Sequence, residues 1–204
     1  MRRLYNKSSR IFRQALTIVA MAALISGCAT PKDSQPSGAF PAADQADKIR
    51  PNCYSLLHQL LEDEKNLDKL LIIKKESREL HKLVKAIATA SAAGAKQLES
   101  YARSDRSIHL KATDLPPGEV ATRDAIAKTK TKVLLTPFDP NFEFYLLLTQ
   151  SEALSYAWHL AEVAASREPD PRRSSALNAL SQSMKSLYEQ TVALLKTRAL
   201  VAKT

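Results

Sequence analysis

The apolar positions between residues 52 and 103 follow the periodicity of an α-helix. They recur at spacings built from three and four residues, and neither Gly nor Pro interrupts them before Gly94. The pattern predicts one long helix over 52–103, bent near Ser77 or Gly94, which would measure about 78 Å at 1.5 Å per residue. Its apolar positions are Leu56, Leu60, Leu67, Leu70, Leu80, Val84, Ile87, Leu98 and Tyr101.

Three shorter helices are predicted downstream. The second, which has a weaker pattern, follows Pro116-Pro117 and runs to about Leu135. The third and fourth each begin with an Asp-Pro pair, Asp139-Pro140 and Asp170-Pro171. Asp caps the free N–H groups of a helix N-terminus and Pro fits the first helical position, so these pairs mark helix starts. In the fourth helix the apolar steps alternate between three and four, which is typical of coiled-coil packing. Four helices with short connections predict an all-α fold, an antiparallel four-helix bundle with an extra-long first helix.

The composition supports a helical protein and excludes several classes of enzyme. Of the 204 residues, 45% are hydrophobic and 25% are charged, and only four are Gly. This is too little Gly and too few aromatic residues for a β-sandwich or barrel, and no dinucleotide-binding or P-loop motif occurs. The short motifs of zinc proteases, serine hydrolases and thiol oxidoreductases are also absent from the sequence. We therefore predict no enzymatic activity and no cofactor.

The first 28 residues have the organisation of an export signal. Residues 1–13 are basic and contain no acid, and residues 15–25 (ALTIVAMAALI) form an apolar stretch that is too short to span a bilayer. The tetrapeptide ISGC at 25–28 then resembles the lipobox of bacterial lipoproteins.

The lipobox resemblance implies a lipid anchor. In that family the chain is cut before the Cys, so residues 1–27 are the signal peptide and Cys28 carries a diacylglycerol and usually an N-linked acyl chain such as palmitate. Several acyl chains together bind a membrane stably. Residue 29 is not the Asp of the inner-membrane retention signal, which favours the outer membrane, facing the periplasm. Residues 28–50 then form the lipidated Cys and a flexible tether, and 51–204 the helical domain.

The net charge of +9 does not indicate nucleic-acid binding. Five basic residues lie within the first 27 positions, and without them 25 basic residues face 21 acidic ones, a net charge of +4. A weak excess spread over a long chain is not the concentrated basic surface that nucleic acids require. The predicted contact with the membrane is therefore the N-terminal lipid, and no nucleic-acid partner is predicted.

Among possible chemical functions, metal binding is the most specific candidate. Ferritin-like four-helix proteins hold two metals with Glu residues and two Glu-x-x-His motifs. The helical body resembles them only weakly, because it contains no Glu-x-x-His. Glu152, His159 and Glu162 on the third helix come closest, with His159 and Glu162 one turn apart. They are either solvated polar residues or the ligands of an ion.

Two apolar surfaces are candidates for protein contacts. Leu147, Leu154 and Trp158 lie opposite the main apolar stripe of the third helix, which is therefore either central in the bundle or in contact with a partner. Leu56 and Leu60 lie at the tether end of a first helix too long for its neighbours to cover.

The uncovered end of the first helix predicts either a homo-oligomer or a protein partner along 53–73, unless another part of the chain covers it. Cys53, the only other Cys, would then lie near its symmetry mate, or else remain a half-buried free thiol. The function predicted from these observations is a membrane-anchored periplasmic lipoprotein with a helical interaction or scaffolding domain. The alternatives are a ferritin-like metal-binding bundle and a ligand-binding or chaperone-like helical protein of the periplasm.

Overall fold

The computed structural model of the protein describes residues 43–72, 76–111, 115–136 and 139–201. Within these ranges the chain forms five α-helices and one 3-10 helix, and no strand. The elements are α1 (Ala43–Glu64), the 3-10 helix (Leu67–Ile72), α2 (Arg78–Ser104), α3 (Pro117–Leu135), α4 (Phe142–Ser166) and α5 (Pro171–Val201). The predicted all-α class is confirmed. The predicted signal peptide, Cys28 and the first part of the predicted tether lie outside the described residues.

The single long helix predicted over 52–103 is wrong, because the chain turns between α1 and α2. Three consecutive acids, 62–64, occupy the last turn of α1, where the helix dipole disfavours negative charge. The Asn66 side chain then donates a hydrogen bond to a backbone carbonyl of that turn and caps the helix end. Beyond the 3-10 helix, the Ser77 hydroxyl accepts a hydrogen bond from the Leu80 N–H and caps the start of α2.

The start of α1 lies further upstream than the sequence predicts. α1 begins at Ala43, inside the predicted tether 28–50, and contains Pro51 in its interior. Proline lacks a backbone N–H and normally ends or kinks a helix, and the prediction places Pro51 at the start of the helical domain, after a tether rich in Pro, Ser, Ala and Asp. Burial of the next turn offsets that cost, since Tyr54 and Leu57 are fully buried.

The Asp-Pro pairs locate the starts of the last two helices to within two residues. Asp170 caps α5 as predicted, and its carboxylate accepts hydrogen bonds from two backbone N–H groups of the first turn at 2.8 and 3.3 Å. α4 begins two residues after Pro140, because Asp139 accepts a hydrogen bond from the Asn141 N–H in a turn that precedes the helix.

Four helices surround the core. α1 packs against α2 and α4, and α5 packs against α4 and α2, so these four helices contact one another in a closed ring. α3 packs against α4, and the 3-10 helix packs against α2. There are five described helices rather than the predicted four, because α1 and α2 replace the predicted first helix. The largest fully buried side chains are Tyr54, Leu57, Leu61, Leu80, Val84, Ile87, Leu98, Leu146, Leu147, Leu154, Leu177 and Met184.

At Gly94, neighbouring helices approach α2 closely, and α2 does not bend there as predicted. α2 is continuous through this position. A Cβ atom at residue 94 would lie 3.0 Å from a δ-carbon of Leu61 on α1 and 3.0 Å from a δ-carbon of Leu180 on α5. Any larger side chain would displace both leucines, so glycine here lets three helices approach one another closely.

Candidate functional site

A histidine and two glutamates meet where α1 packs against α2. His58 and Glu62 lie one turn apart on α1, and Glu99 comes from α2. One ligand atom from each side chain lies within 4.8 Å of the other two, and His58 Nε2 is 3.5 Å from a carboxylate oxygen of Glu99. All three residues, named here the α1–α2 triad, are half-buried. An imidazole nitrogen with two carboxylate oxygens is a suitable ligand set for a divalent metal ion.

Two basic side chains partly neutralise the carboxylates of the α1–α2 triad. Lys65 forms an ion pair with Glu62, and Arg103 Nη1 lies 3.9 Å from a carboxylate oxygen of Glu99. The His58 side chain is only 14% exposed. Its Nε2 atom is buried and has no hydrogen-bond partner of acceptable geometry among the described residues. This nitrogen therefore faces the two carboxylates without being satisfied by them.

Two further carboxyl groups at the end of α1 are buried. Burial raises the pKa of Glu64 to about 7, and the Gln150 side chain on α4 opposes part of this rise. Burial, together with the charges of Glu64 and Glu62, raises the pKa of Asp63 to about 8. Both carboxyl oxygens of Glu64 and Oδ2 of Asp63 are buried without a hydrogen-bond partner in the described part of the chain. A substantial fraction of both carboxyl groups is therefore protonated at neutral pH.

A second polar cluster contacts the middle of α1. The fully buried Glu168 side chain accepts a hydrogen bond from the Tyr54 hydroxyl at 2.5 Å and two from the Arg173 guanidinium at 2.7 and 2.9 Å. The Arg50 guanidinium lies 3.3 Å from the same carboxylate. Burial pushes the pKa of Glu168 upward, but the hydrogen bonds from Tyr54 and Arg173 outweigh it and hold the pKa below its usual value. Glu168 therefore remains ionised, and its hydrogen bonds link α1 to the α4–α5 connection.

No metal site is predicted from the sequence with a full ligand set, and its nearest candidates, Glu152, His159 and Glu162, are not brought together as a group of three. Glu152 forms an ion pair with Lys130 on α3. His159 Nδ1 lies 3.3 Å from a carboxylate oxygen of Glu162, and both side chains are exposed. The His159 ring also stacks on Trp158. In the described ranges, the α1–α2 triad is the one group of three possible ligands within reach of a single ion.

Most of the residues predicted to bind a partner contribute to the protein's own core. Leu60, Leu147 and Leu154 are buried, whereas Leu56 and Trp158 are half-buried and pack against the core. Because the chain turns after α1, the leucines of this helix are covered by α2 and α4. The geometric reason for self-association along 53–73 is thereby removed. The exposed large apolar side chains among the described residues are Val120, Phe144, Leu148 and Val163.

Cys53 has the properties of a core side chain. It is buried, and burial raises the pKa of its thiol to about 11, although the nearby Arg167 charge opposes the rise. Nucleophilic attack and disulfide exchange both require the thiolate, which is scarce at neutral pH with such a pKa. A disulfide to a second copy through Cys53 would require α1 to open first.

The α1–α2 triad was missed in the sequence because its members are far apart along the chain. His58 and Glu62 carry a weak signal, a His-x-x-x-Glu spacing on one helix face. Glu99 lies on α2, which packs against α1, and the prediction of one continuous helix excluded that contact. In that long helix, residues 58 and 99 would be about 60 Å apart.

The comparisons with known proteins do not assign the chain to a family. No protein-family model, curated protein or solved structure matches it. None of the described helices is both long enough and apolar enough to cross a membrane.

Proposed function

We propose that the protein is a membrane-anchored periplasmic lipoprotein whose helical domain serves as an interaction or scaffolding module. The observation that carries the proposal is the ordered N-terminal signal: basic residues, an 11-residue apolar stretch, and ISGC ending at Cys28. The residue after Cys28 favours delivery to the outer membrane. Residues 29–42 would then allow the start of α1 to lie at most about 50 Å from the anchored cysteine.

The contacts of the domain support an antiparallel four-helix bundle to which α3 is added. Arg50, in the first half of α1, contacts Glu168, which follows the end of α4. At the other end, Arg198 near the end of α5 lies 3.9 Å from Glu79 at the start of α2 and 3.1 Å from Glu143 at the start of α4. These pairings support opposite directions for the contacting helices.

An apolar patch on α4 supports the interaction role. Phe144 and Leu148 lie one turn apart, so they share a face of the helix, and each is 39% exposed. Leu146, Leu147 and Leu154 of the same helix are fully buried. Exposed large apolar side chains that adjoin one another indicate a contact surface more often than isolated ones do. The candidate surface is therefore the outer side of α4 rather than the leucines of α1.

The lipid anchor is tested by replacing the predicted acceptor. We expect Cys28→Ser to abolish incorporation of labelled palmitate, because the lipobox cysteine supplies the modified sulfur and, after cleavage, the modified amino group. Cys53→Ser is the matched control and should keep the full label, since Cys53 is buried and lies outside the lipobox. Labelling is measured in cells on the immunoprecipitated protein. Undiminished label on Cys28→Ser would refute the anchor.

The interaction role is tested by site-specific photo-crosslinking in cells. A photo-reactive amino acid at Leu148 should give a discrete cross-linked product, because this apolar side chain is exposed beside Phe144. The same amino acid at Gln182, an exposed polar position on α5, is the control and should give none. If residues 144 and 148 both give the same pattern as residue 182, the α4 patch is not an interaction surface.

A further inference from the structure

We propose that the α1–α2 triad of His58, Glu62 and Glu99 binds a zinc ion that links α1 to α2. This site lies in the helical domain and is independent of the lipid anchor. It shares no residue with the candidates Glu152, His159 and Glu162 on the third predicted helix, and it uses two separate helices.

The spacing of the three ligand atoms is close to that of a zinc site. Zinc–ligand bonds of about 2.0–2.1 Å in tetrahedral geometry hold neighbouring ligand atoms about 3.3 Å apart. The 3.5 Å between His58 Nε2 and the Glu99 carboxylate is already near this value. The remaining separations are at most 4.8 Å. Glu62 and Glu99 are only half-buried, so rotation of their side chains can close the difference.

The ligand types favour zinc over the hard divalent ions. Mg²⁺ and Ca²⁺ require six or more oxygen ligands, whereas zinc readily takes imidazole nitrogen with carboxylate oxygen in four-coordinate sites. Three protein ligands leave one position for a water molecule. Two carboxylates and a neutral imidazole also match the charge of a divalent cation.

The buried imidazole nitrogen is the observation that distinguishes this site from a surface cluster of acids. His58 Nε2 has essentially no solvent contact and no hydrogen-bond partner among the described residues, although it faces two carboxylates. A buried polar atom is normally satisfied, and a metal ion at this point would satisfy it without a proton.

The two basic neighbours act as competitors of the ion. Lys65 pairs with Glu62 and Arg103 with Glu99, and neither pair is fully buried. The Arg103 side chain is 67% exposed and can turn into solvent when a metal replaces it. Removal of Lys65 should therefore strengthen metal binding, whereas removal of a ligand should weaken it.

Calorimetric titration tests the proposal on the tag-free protein in the form that cells produce, purified in detergent and stripped of metal by a chelator. We expect one Zn²⁺ per chain. His58→Gln and Glu99→Gln should each weaken binding by at least about 10- to 100-fold, the loss that removal of an outer-shell partner already causes, since each removes one of three direct ligands. Lys65→Gln should strengthen it about two- to fivefold, the size expected for loss of a partly exposed ion pair. His159→Gln, on an exposed histidine of α4, is the matched control and should bind as the wild type does.

Two further measurements keep the test decisive if a variant is unstable. Co²⁺ in place of zinc should give the visible absorption of a four-coordinate site, and Glu99→Gln should lose it while keeping its helical circular dichroism. Zinc should raise the melting temperature of the wild type, because the ion binds only the folded pairing of α1 and α2. The proposal is overturned by the absence of saturable zinc binding, by binding that survives in both ligand variants, or by binding that is lost in His159→Gln.

Discussion

Replacing Glu64 by Gln should stabilise the protein by about 3 kcal/mol at pH 8. Burial raises the pKa of this carboxyl from 4.5 to about 7 in the folded chain. Each pKa unit corresponds to about 1.4 kcal/mol, so ionising a carboxyl whose folded pKa is raised this far costs about 3 kcal/mol of stability. Gln has nearly the same shape and carries no charge, and it therefore avoids that cost.

The stability gained by Glu64→Gln should depend on pH in a characteristic direction. Because the folded state binds the Glu64 proton more tightly than the unfolded state, the contribution of Glu64 to stability falls as pH rises from 4.5 to about 7 and then levels off. The advantage of Glu64→Gln should thus vanish near pH 4.5. Urea unfolding at pH 4.5 and 8 in the presence of a chelator measures both values. Glu162→Gln, at an exposed position, is the control, and an equal gain in both variants would contradict the prediction.

Replacing Arg173 by Gln should destabilise the protein by about 3 kcal/mol. Arg173 donates two hydrogen bonds to the fully buried Glu168 carboxylate and lies 3.0 Å from Asp105. Removing one partner of a buried ion pair leaves a charge without compensation, which costs about 3–5 kcal/mol. Arg50 and the Tyr54 hydroxyl still contact Glu168, so the lower end of that range is expected.

The neighbouring arginine supplies the control for this experiment. Arg172 is exposed, so Arg172→Gln changes the net charge equally without removing a contact to Glu168. Urea unfolding at pH 7 should separate the two variants by at least about 2 kcal/mol. Equal stabilities would mean that the Glu168 cluster contributes nothing beyond general charge. Glu168→Gln in the Arg173→Gln background should recover part of the loss, because it removes the uncompensated charge.

The helices with strong local signals were predictable from the sequence. α3 begins within one residue of its predicted start. α5 begins at the predicted Asp-Pro pair, because capping by Asp170 is a local interaction. The break between α1 and α2 was missed because the apolar spacing continues across it. The residues that indicate the break are the acids at 62–64 and the cap Ser77. They are weaker indicators of secondary structure than the helical spacing of the apolar residues.

The candidate site depended on tertiary structure, and so the sequence could not reveal it. His58 and Glu99 come together only because the chain turns back after α1. The same turn determines which leucines are covered: Leu60 is buried by neighbouring helices rather than by a second copy. The burial of Glu64 also has no local signal, since three consecutive acids are usually a solvated surface.

The contacts of Glu168 constrain the order in which the chain can acquire its native structure. Arg50 and Tyr54 are separated from this partner by 118 and 114 residues. During synthesis, α1 therefore has no access to its buried ionic partner until most of the chain has been made, and long-range contacts of this kind form slowly. Under the proposed export through a membrane, an incomplete α1 core would leave the leading part of the chain unfolded while it crosses.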